Sequence, residues 1–437
     1  MITMNKVPVN GRRSSVKCSV GFFIVVVTLL CSCIFAFSMD NLHQRKDTTM
    51  TTRKRSLPET ILVGYTTKCS ERVLQAVREG VNVVIWSFVD IKNIASKIEE
   101  DTSCATKAKC VSSFDLFCAK QMIAQLDAEG YDDTVHLVSF GGWNGNHLPD
   151  ELSADDIYEA WKDLAGDIFH GVDWDLEGHD RLDNPTNLFS IECLESMGRF
   201  SELAKKDGFI VGMAPPQSYL DIEESRFSRY VNLTDPGRGW HDDFHYFGQN
   251  VYAYLLSKYG DYIDFVSIQF YESYSRAGLE VFNNHMAPEI YLQRYVDDLV
   301  SNKAESFFVN FDQDPSLKYS SRAVSFPLSK LVFGFANGWA ANDFDNKACY
   351  FDPKKIGLAH DVLVTSKQAP RGFMFWVIDE EGTKDIYFSK ALNDVLKIRA
   401  PKGNDVLFEF EATEKTDSIA VSNDIFVILL SFMRNGA

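Results

Sequence analysis

The sequence predicts a (β/α)8 barrel, and three observations carry that prediction. Eight short runs rich in apolar, β-branched and aromatic residues recur between about residue 60 and residue 400 of the 437-residue chain. Several segments between them space their apolar residues as amphipathic helices do, such as "SERVLQAVREG" from Ser70 and "AKQMIAQLDAEG" from Ala119. A hydrophobic share of 45% supports a sizeable core. Strands alternating with helices form a parallel sheet covered by helices, and eight such units suit a closed barrel. A doubly wound open sheet would alternate in the same way. No GxGxxG or GxxxxGK[ST] follows a strand, which removes the usual nucleotide-binding reading.

The strands are expected in order. "TILVGYT" lies near 60, "VNVVIWSFVD" near 81, "VHLVSFGG" near 135 and "GVDWDLE" near 171. "FIVGMAP" near 209, "IDFVSIQFYE" near 263, "KLVFGFANGW" near 330 and "GFMFWV" near 372 complete the set. The fourth is unlike the rest, because Asp173, Asp175 and Glu177 alternate with Val172, Trp174 and Leu176. Alternate side chains of a strand share a face. In a barrel the apolar three would meet the helices and the acids would point inward. Carboxylates crowded there are costly unless they share protons or hydrogen bonds. An exposed edge strand with one polar face would need no chemistry. The barrel places Glu177 at the C-terminal end of its strand, where barrel active sites lie, and this favours catalysis.

Charge and the termini frame the rest. A formal net charge of −17 argues against nucleic acid or an anionic membrane surface as the main partner. Lys6, Arg12, Arg13 and Lys17 precede the apolar run from Val20 to Phe37, a pattern of entry into the secretory route. Residues 1–38 are expected to be a signal peptide, cleaved after Ser38, or an uncleaved membrane anchor, with a polar linker over 39–58. The barrel is expected over 59–400, followed by a C-terminal tail over 401–437. Of nine cysteines, Cys18, Cys31 and Cys33 belong to the targeting segment. Cys69, Cys104, Cys110, Cys118, Cys193 and Cys349 are compatible with three disulfides, with Cys104–Cys110 a candidate local loop. "NLT" at Asn232 is an acceptor sequence for N-glycosylation. His241 and His245 have metal-ligand spacing but no third ligand, so no metal and no cofactor is expected. The apolar segment Ile425–Met433 is too short to span a membrane.

"GVDWDLE" resembles the DGxDxDxE signature strand of the family 18 glycoside hydrolases, the chitinases and related endo-β-N-acetylglucosaminidases. "SFGGW" (Ser139 to Trp143) resembles the SxGG motif, and "GMAPPQ" the fifth-strand segment of plant-type and related bacterial chitinases. "QFYE" (Gln269 to Glu272) resembles the sixth-strand motif, and "GFMFW" the eighth strand with Trp376. "VVIWSFVDI" is similar to a second strand of that fold, and the likeness spans about residues 60 to 380.

The resemblance implies retaining hydrolysis of β-1,4-linked N-acetylglucosamine polymers, with the substrate's own acetamido group as nucleophile. Glu177 would be the general acid and base, Asp175 would orient the acetamide, Asp173 would back it, and Tyr271 would hold the acetamido oxygen. Trp376, Trp143, Gln269, Met213, Ser139, Gly142 and Tyr65 are the expected substrate-binding set. The implied partner is a saccharide containing N-acetylglucosamine, bound by a monomer. Action on N-glycan cores is the alternative, and inert lectin-like relatives are another. Retention of Glu177, Asp175 and Tyr271 speaks against the inert kind. Three departures stand out. His170 replaces the motif's first aspartate and is expected to point away from the acid row. Glu272 replaces an aspartate or asparagine, and Pro215–Pro216 unsettles the role of Gln217. The short segment between the seventh and eighth strands leaves no room for an added α+β domain. A shallower groove suited to internal cleavage is therefore expected.

Overall fold

The computed structural model describes residues 54–96, 105–179, 184–231, 249–272, 275–301, 305–341 and 349–398. Its strands are β1 (Ile61–Thr66), β2 (Val83–Ser96), β3 (Ala105–Ser112), β4 (Val135–Gly142), β5 (Gly171–Leu176) and β6 (Ile210–Met213), followed by β7 (Phe265–Gln269), β8 (Ser306–Val309), β9 (Arg322–Ser325), β10 (Leu331–Ala336) and β11 (Gly372–Trp376). β1, β2, β4, β5, β6, β7, β10 and β11 form a parallel ring in that order. β1 pairs with both β2 and β11, and this closure decides for the barrel against the open sheet. All eight expected strands are present. A helix lies between consecutive members, and Phe388–Leu396 follows β11.

Period-two alternation sorts the strand residues into two cores. Ile61, Val63, Val83, Ile85, Val135, Leu137, Val332 and Met374 fill the barrel. Leu62, Val84, Trp86, Val138, Val172, Trp174 and Leu176 belong to the core between strands and helices. Polar side chains fix the helix starts by accepting orphan backbone N–H groups. Asp115 accepts from Cys118, Ser153 from Asp156 and Ser190 from Cys193.

Two features departed from expectation. β2 runs on beyond its barrel partners and pairs antiparallel with β3, making a hairpin beside the C-terminal rim. β8 and β9 form a second small hairpin before β10. Among the described cysteines only Cys69 and Cys118 are joined, tying the segment after β1 to helix Leu116–Ala128. Cys110, Cys193 and Cys349 are buried free thiols, so the three-disulfide expectation is corrected and Cys110 forms no loop with Cys104. Their side chains serve as core filling, and burial pushes the Cys110 thiol up to about 12. The targeting segment, Cys104, Asn232, His241, His245 and the C-terminal tail lie outside the described residues. No helix among the described residues is long and apolar enough to cross a membrane.

Trp174 is the outward counterpart of the acids. Its indole stacks on Phe140 at 5.1 Å, meets Phe200 edge-on at 5.1 Å and donates Nε1–H to Ser201 Oγ at 2.9 Å. Trp174→Ala should cost about 3–5 kcal/mol in a denaturant titration, as for large buried aromatics generally. A loss below about 1 kcal/mol would mean that this face does not carry the barrel wall.

Candidate active site

β5 carries Asp173 and Asp175 inward, and Glu177 follows at its end; their exposures are 0%, 3% and 5%. Each acid has its own setting. Asp173 Oδ2 accepts from Tyr65 Oη at 2.6 Å and from Ser139 Oγ at 2.9 Å, whereas its Oδ1 has no hydrogen-bond partner among the described residues. Asp175 Oδ1 and Glu177 Oε1 both accept from Gln269 Nε2, at 2.8 and 3.3 Å. Gln269 also donates to Ala214 O at 2.6 Å, which fixes its amide from the neighbouring strand end.

Burial raises all three carboxyls. It pushes Asp173 up to about 6, against the hydrogen bonds from Tyr65 and Ser139. Asp175 is raised well above the usual range, by burial first and then by the charges of Glu177 and Asp173. Glu177 is raised to about 7 by burial, with hydrogen bonds from Asp175 and Gln269 opposing. Asp175 and Glu177 therefore titrate as a pair that retains a proton near neutral pH. The sharing falls between Asp175 and Glu177, while Asp173 is held by hydroxyls.

The two glycines of "SFGGW" allow this packing. Gly141 has a φ of +108°, and a Cβ there would lie 2.3 Å from the Asp175 carbonyl oxygen. Gly142 has a φ of +78°, and a Cβ would meet the Phe88 ring at 2.5 Å. Both positions lie in the left-handed region that favours glycine. Phe88 stacks with Trp376 at 5.9 Å, and Tyr65 lies 5.5 Å from the same indole. The Ser87–Phe88 and Trp376–Val377 peptide bonds are cis. Trp339 donates Nε1–H to the Trp376 carbonyl at 2.9 Å. His147 Nε2 lies 3.0 Å from the Glu177 carbonyl oxygen, and burial lowers this imidazole to about 4. A neutral ring donating there steadies the strand end.

A cavity of about 490 Å3 opens over these groups. Of the expected site residues, Asp175, Glu177, Tyr271, Trp376, Trp143, Gln269 and Gly142 line it. Asp173, Ser139 and Tyr65 stand one layer below, joined by the hydrogen bonds above. Met213 is a correction: it is fully buried in the outer core in register with Trp174, because alternation on β6 turns it away from the barrel axis. Gln217 also has a supporting place. It donates to Tyr291 Oη at 2.6 Å and accepts from Ala277 N at 2.9 Å. His170 Nδ1 accepts from His136 N at 2.9 Å, so this departure from the acid motif supports the strand pairing. Glu272 does reach the cavity.

Phe88, Asp90, Ser113, Asn144, Gly145 and Trp339 line the cavity without having been singled out as site residues. Phe88 and Trp339 carried a usable signal, as aromatic residues at or just past strand ends on the C-terminal rim. Asp90 and Ser113 are brought there by the β2–β3 hairpin.

By sequence, the chain matches no family model and no curated protein. By structure, it is similar to a family GH18 chitinase from Chromobacterium violaceum, at 16% identity and a TM-score of 0.52, over 79% of this chain and 85% of that one. The ChiA C-terminal domain of Legionella pneumophila gives 14% identity and a TM-score of 0.48, over 76% and 96% of the two chains. A fungal endo-β-N-acetylglucosaminidase of glycosyl hydrolase family 18 gives 14% and 0.46, over 78% and 98%. The first likeness is one of fold: the chain folds as a barrel similar to that of this chitinase.

Burying Glu177 has a thermodynamic consequence. Its folded-state value of about 7 exceeds that of an unfolded glutamate, about 4.3. The native state therefore holds the extra proton, and stability falls as pH rises from about 4 through about 7. Glu177→Gln removes that loss. Its melting temperature should exceed the wild type's at pH 8 and converge with it near pH 4. An equal difference at both pH values would exclude the buried, proton-holding carboxyl.

Proposed function

We propose that this protein is a retaining glycoside hydrolase that cleaves β-1,4 links after N-acetylglucosamine, in chitin or its oligomers, by substrate assistance. One observation carries the reading. A proton-holding pair, Asp175 and Glu177, sits at the cavity wall with Gln269 and Tyr271 beside it and Trp376 among the lining. Such a cavity offers an acid, a carboxylate partner and a flat apolar surface for a sugar ring. No second carboxylate outside this row is needed as nucleophile when the substrate provides one.

The chemistry follows from those positions. Glu177 donates its proton to the glycosidic oxygen as the C1–O bond breaks. The acetamido carbonyl oxygen of the same sugar closes on C1 and gives an oxazolinium ion, an intramolecular attack with the advantage of proximity. Asp175 accepts the acetamide N–H and offsets the developing positive charge, and Tyr271 positions the acetamide oxygen. Glu177, now ionised, takes a proton from water as it attacks C1, which restores the sugar with retained configuration and returns the acid. Trp376, with Phe88 stacked on it, offers an apolar face to the sugar. The chitinase of Chromobacterium violaceum supports the choice of substrate class. The apolar, positively flanked N-terminal segment and the Cys69–Cys118 disulfide fit entry into an oxidising secretory compartment.

Glu177→Gln should lower kcat on chito-oligomers by roughly 10²–10⁴-fold while leaving their binding nearly unchanged. Ordinary turnover by that variant would exclude the assigned acid. If the same preparation of wild type cut a high-mannose glycoprotein and spared chito-oligomers, the barrel chemistry would stand and the polymer would change.

The pH dependence has a stated sign. The rate should fall as pH rises through about 7, where the pair gives up the proton of Glu177. Asp175→Asn should reduce the rate and shift that alkaline limb, because Glu177 then titrates alone and no longer as one member of a coupled pair. A limb that does not move would contradict the shared proton.

A further inference from the structure

The wall of the cavity continues into a surface of opposite charge. Asp90 on β2 lines the cavity and pairs with Val111 on β3. Alternation places Lys92 and Ile94 on the same face as Asp90, and the antiparallel register sets Lys109 opposite Lys92 and Lys107 opposite Ile94. Lys92, Lys107 and Lys109 are all exposed. Among the described residues none of the three has an ion pair or hydrogen bond. A strand rise of about 3.3 Å per residue sets the Lys92–Lys109 pair roughly 7 Å beyond Asp90 along the hairpin, and Lys107 roughly 13 Å beyond it. Like charges directly opposite each other across two strands are unfavourable. Three exposed lysines together on one face are out of keeping with a chain of net charge −17. An anion resting between them would relieve the repulsion.

We propose that this hairpin face extends the saccharide groove and receives a sulfate ester carried on the sugar chain beyond the cavity. The inference rests on the saccharide reading of the cavity. Charge complementarity divides the labour. The cavity wall is acidic, through Asp90, Asp175, Glu177 and Glu272, and suits neutral N-acetylglucosamine. An anionic substituent is repelled there and attracted one to two sugar lengths further out. The residue type selects the anion. A planar carboxylate is best matched by the fork of an arginine, whereas the compact ammonium charges of lysines side by side on one face suit a tetrahedral oxyanion.

The test uses the full chain carrying Glu177→Gln, so that binding is read without turnover. Titration calorimetry compares chitotetraose with its 6-O-sulfated, 6-O-phosphorylated and 6-carboxylated forms. The sulfated oligomer should bind roughly five- to tenfold more tightly than the neutral one, the gain expected from two exposed ion pairs. The gain should shrink as salt rises from 50 to about 300 mM, since exposed charges are screened. Lys92→Ala with Lys109→Ala should abolish the preference and keep affinity for the neutral oligomer. Arginine at both positions should retain it. The alanine pair should melt no lower than the parent, because a like-charge pair is removed.

Equal affinity for neutral and sulfated oligomers overturns the proposal. A sulfate preference that survives the alanine pair overturns it, and so does a stronger preference for the carboxylated or phosphorylated form. If the sulfated oligomer binds through the lysines and the neutral one does not bind at all, the hairpin site stands and the hydrolase reading falls.

Discussion

The structure depends on the cost of placing carboxyl groups where water cannot reach them. Three acids in alternate positions on β5 enter the interior of a closed barrel, and burial is the leading cause of the upward shift in each. Two unshared negative charges at Asp175 and Glu177 would be strongly unfavourable there. The pair responds by keeping a proton, and a kept proton is what a general acid needs. The same burial that opposes stability at alkaline pH thus prepares the chemistry.

The surroundings divide the row into two roles. Asp173 lies deepest and is restrained by two hydroxyl donors, Tyr65 and Ser139, which come from β1 and β4. Asp175 and Glu177 share the Gln269 amide, delivered by β7. Strands far apart in sequence therefore meet at one row of side chains. The paired glycines after Phe140 serve the same end by letting two backbones approach where any side chain would collide with Asp175 or Phe88. Above the row the rim is aromatic, with Trp376 stacked on Phe88 and braced by Trp339. A polar floor beneath an aromatic rim suits a sugar, which presents hydroxyls at its edge and C–H groups on its face.

Much of this was legible in the residues because strand geometry is local. The period-two pattern in "GVDWDLE" fixes which side chains share a face without reference to any partner. Val172, Trp174 and Leu176 did go to the helices while the acids turned inward. The same rule, applied to β6, should have placed Met213 outside, since it is in register with Trp174. Asp90 and Ser113 were hidden for another reason. The β3 segment "ATKAKCVS" has no aromatic residue and Val111 as its one branched apolar residue, and its strand character comes from pairing with the overhanging end of β2. Propensity in strands is weak where pairing supplies the stabilisation.

The sequence by itself determined the order of strands and helices, the two-faced character of each strand, and the row of acids at the end of the fourth barrel strand. These are properties of neighbouring residues, set by backbone period and side-chain polarity. Only the tertiary structure decided that β1 meets β11 to close the ring, that Gln269 bridges Asp175 and Glu177, and that Cys69 joins Cys118 while three other cysteines stay reduced. It also decided that the β2–β3 hairpin stands beside the cavity. Each of these depends on distances between residues remote in the chain, and such distances exist only once the barrel has closed.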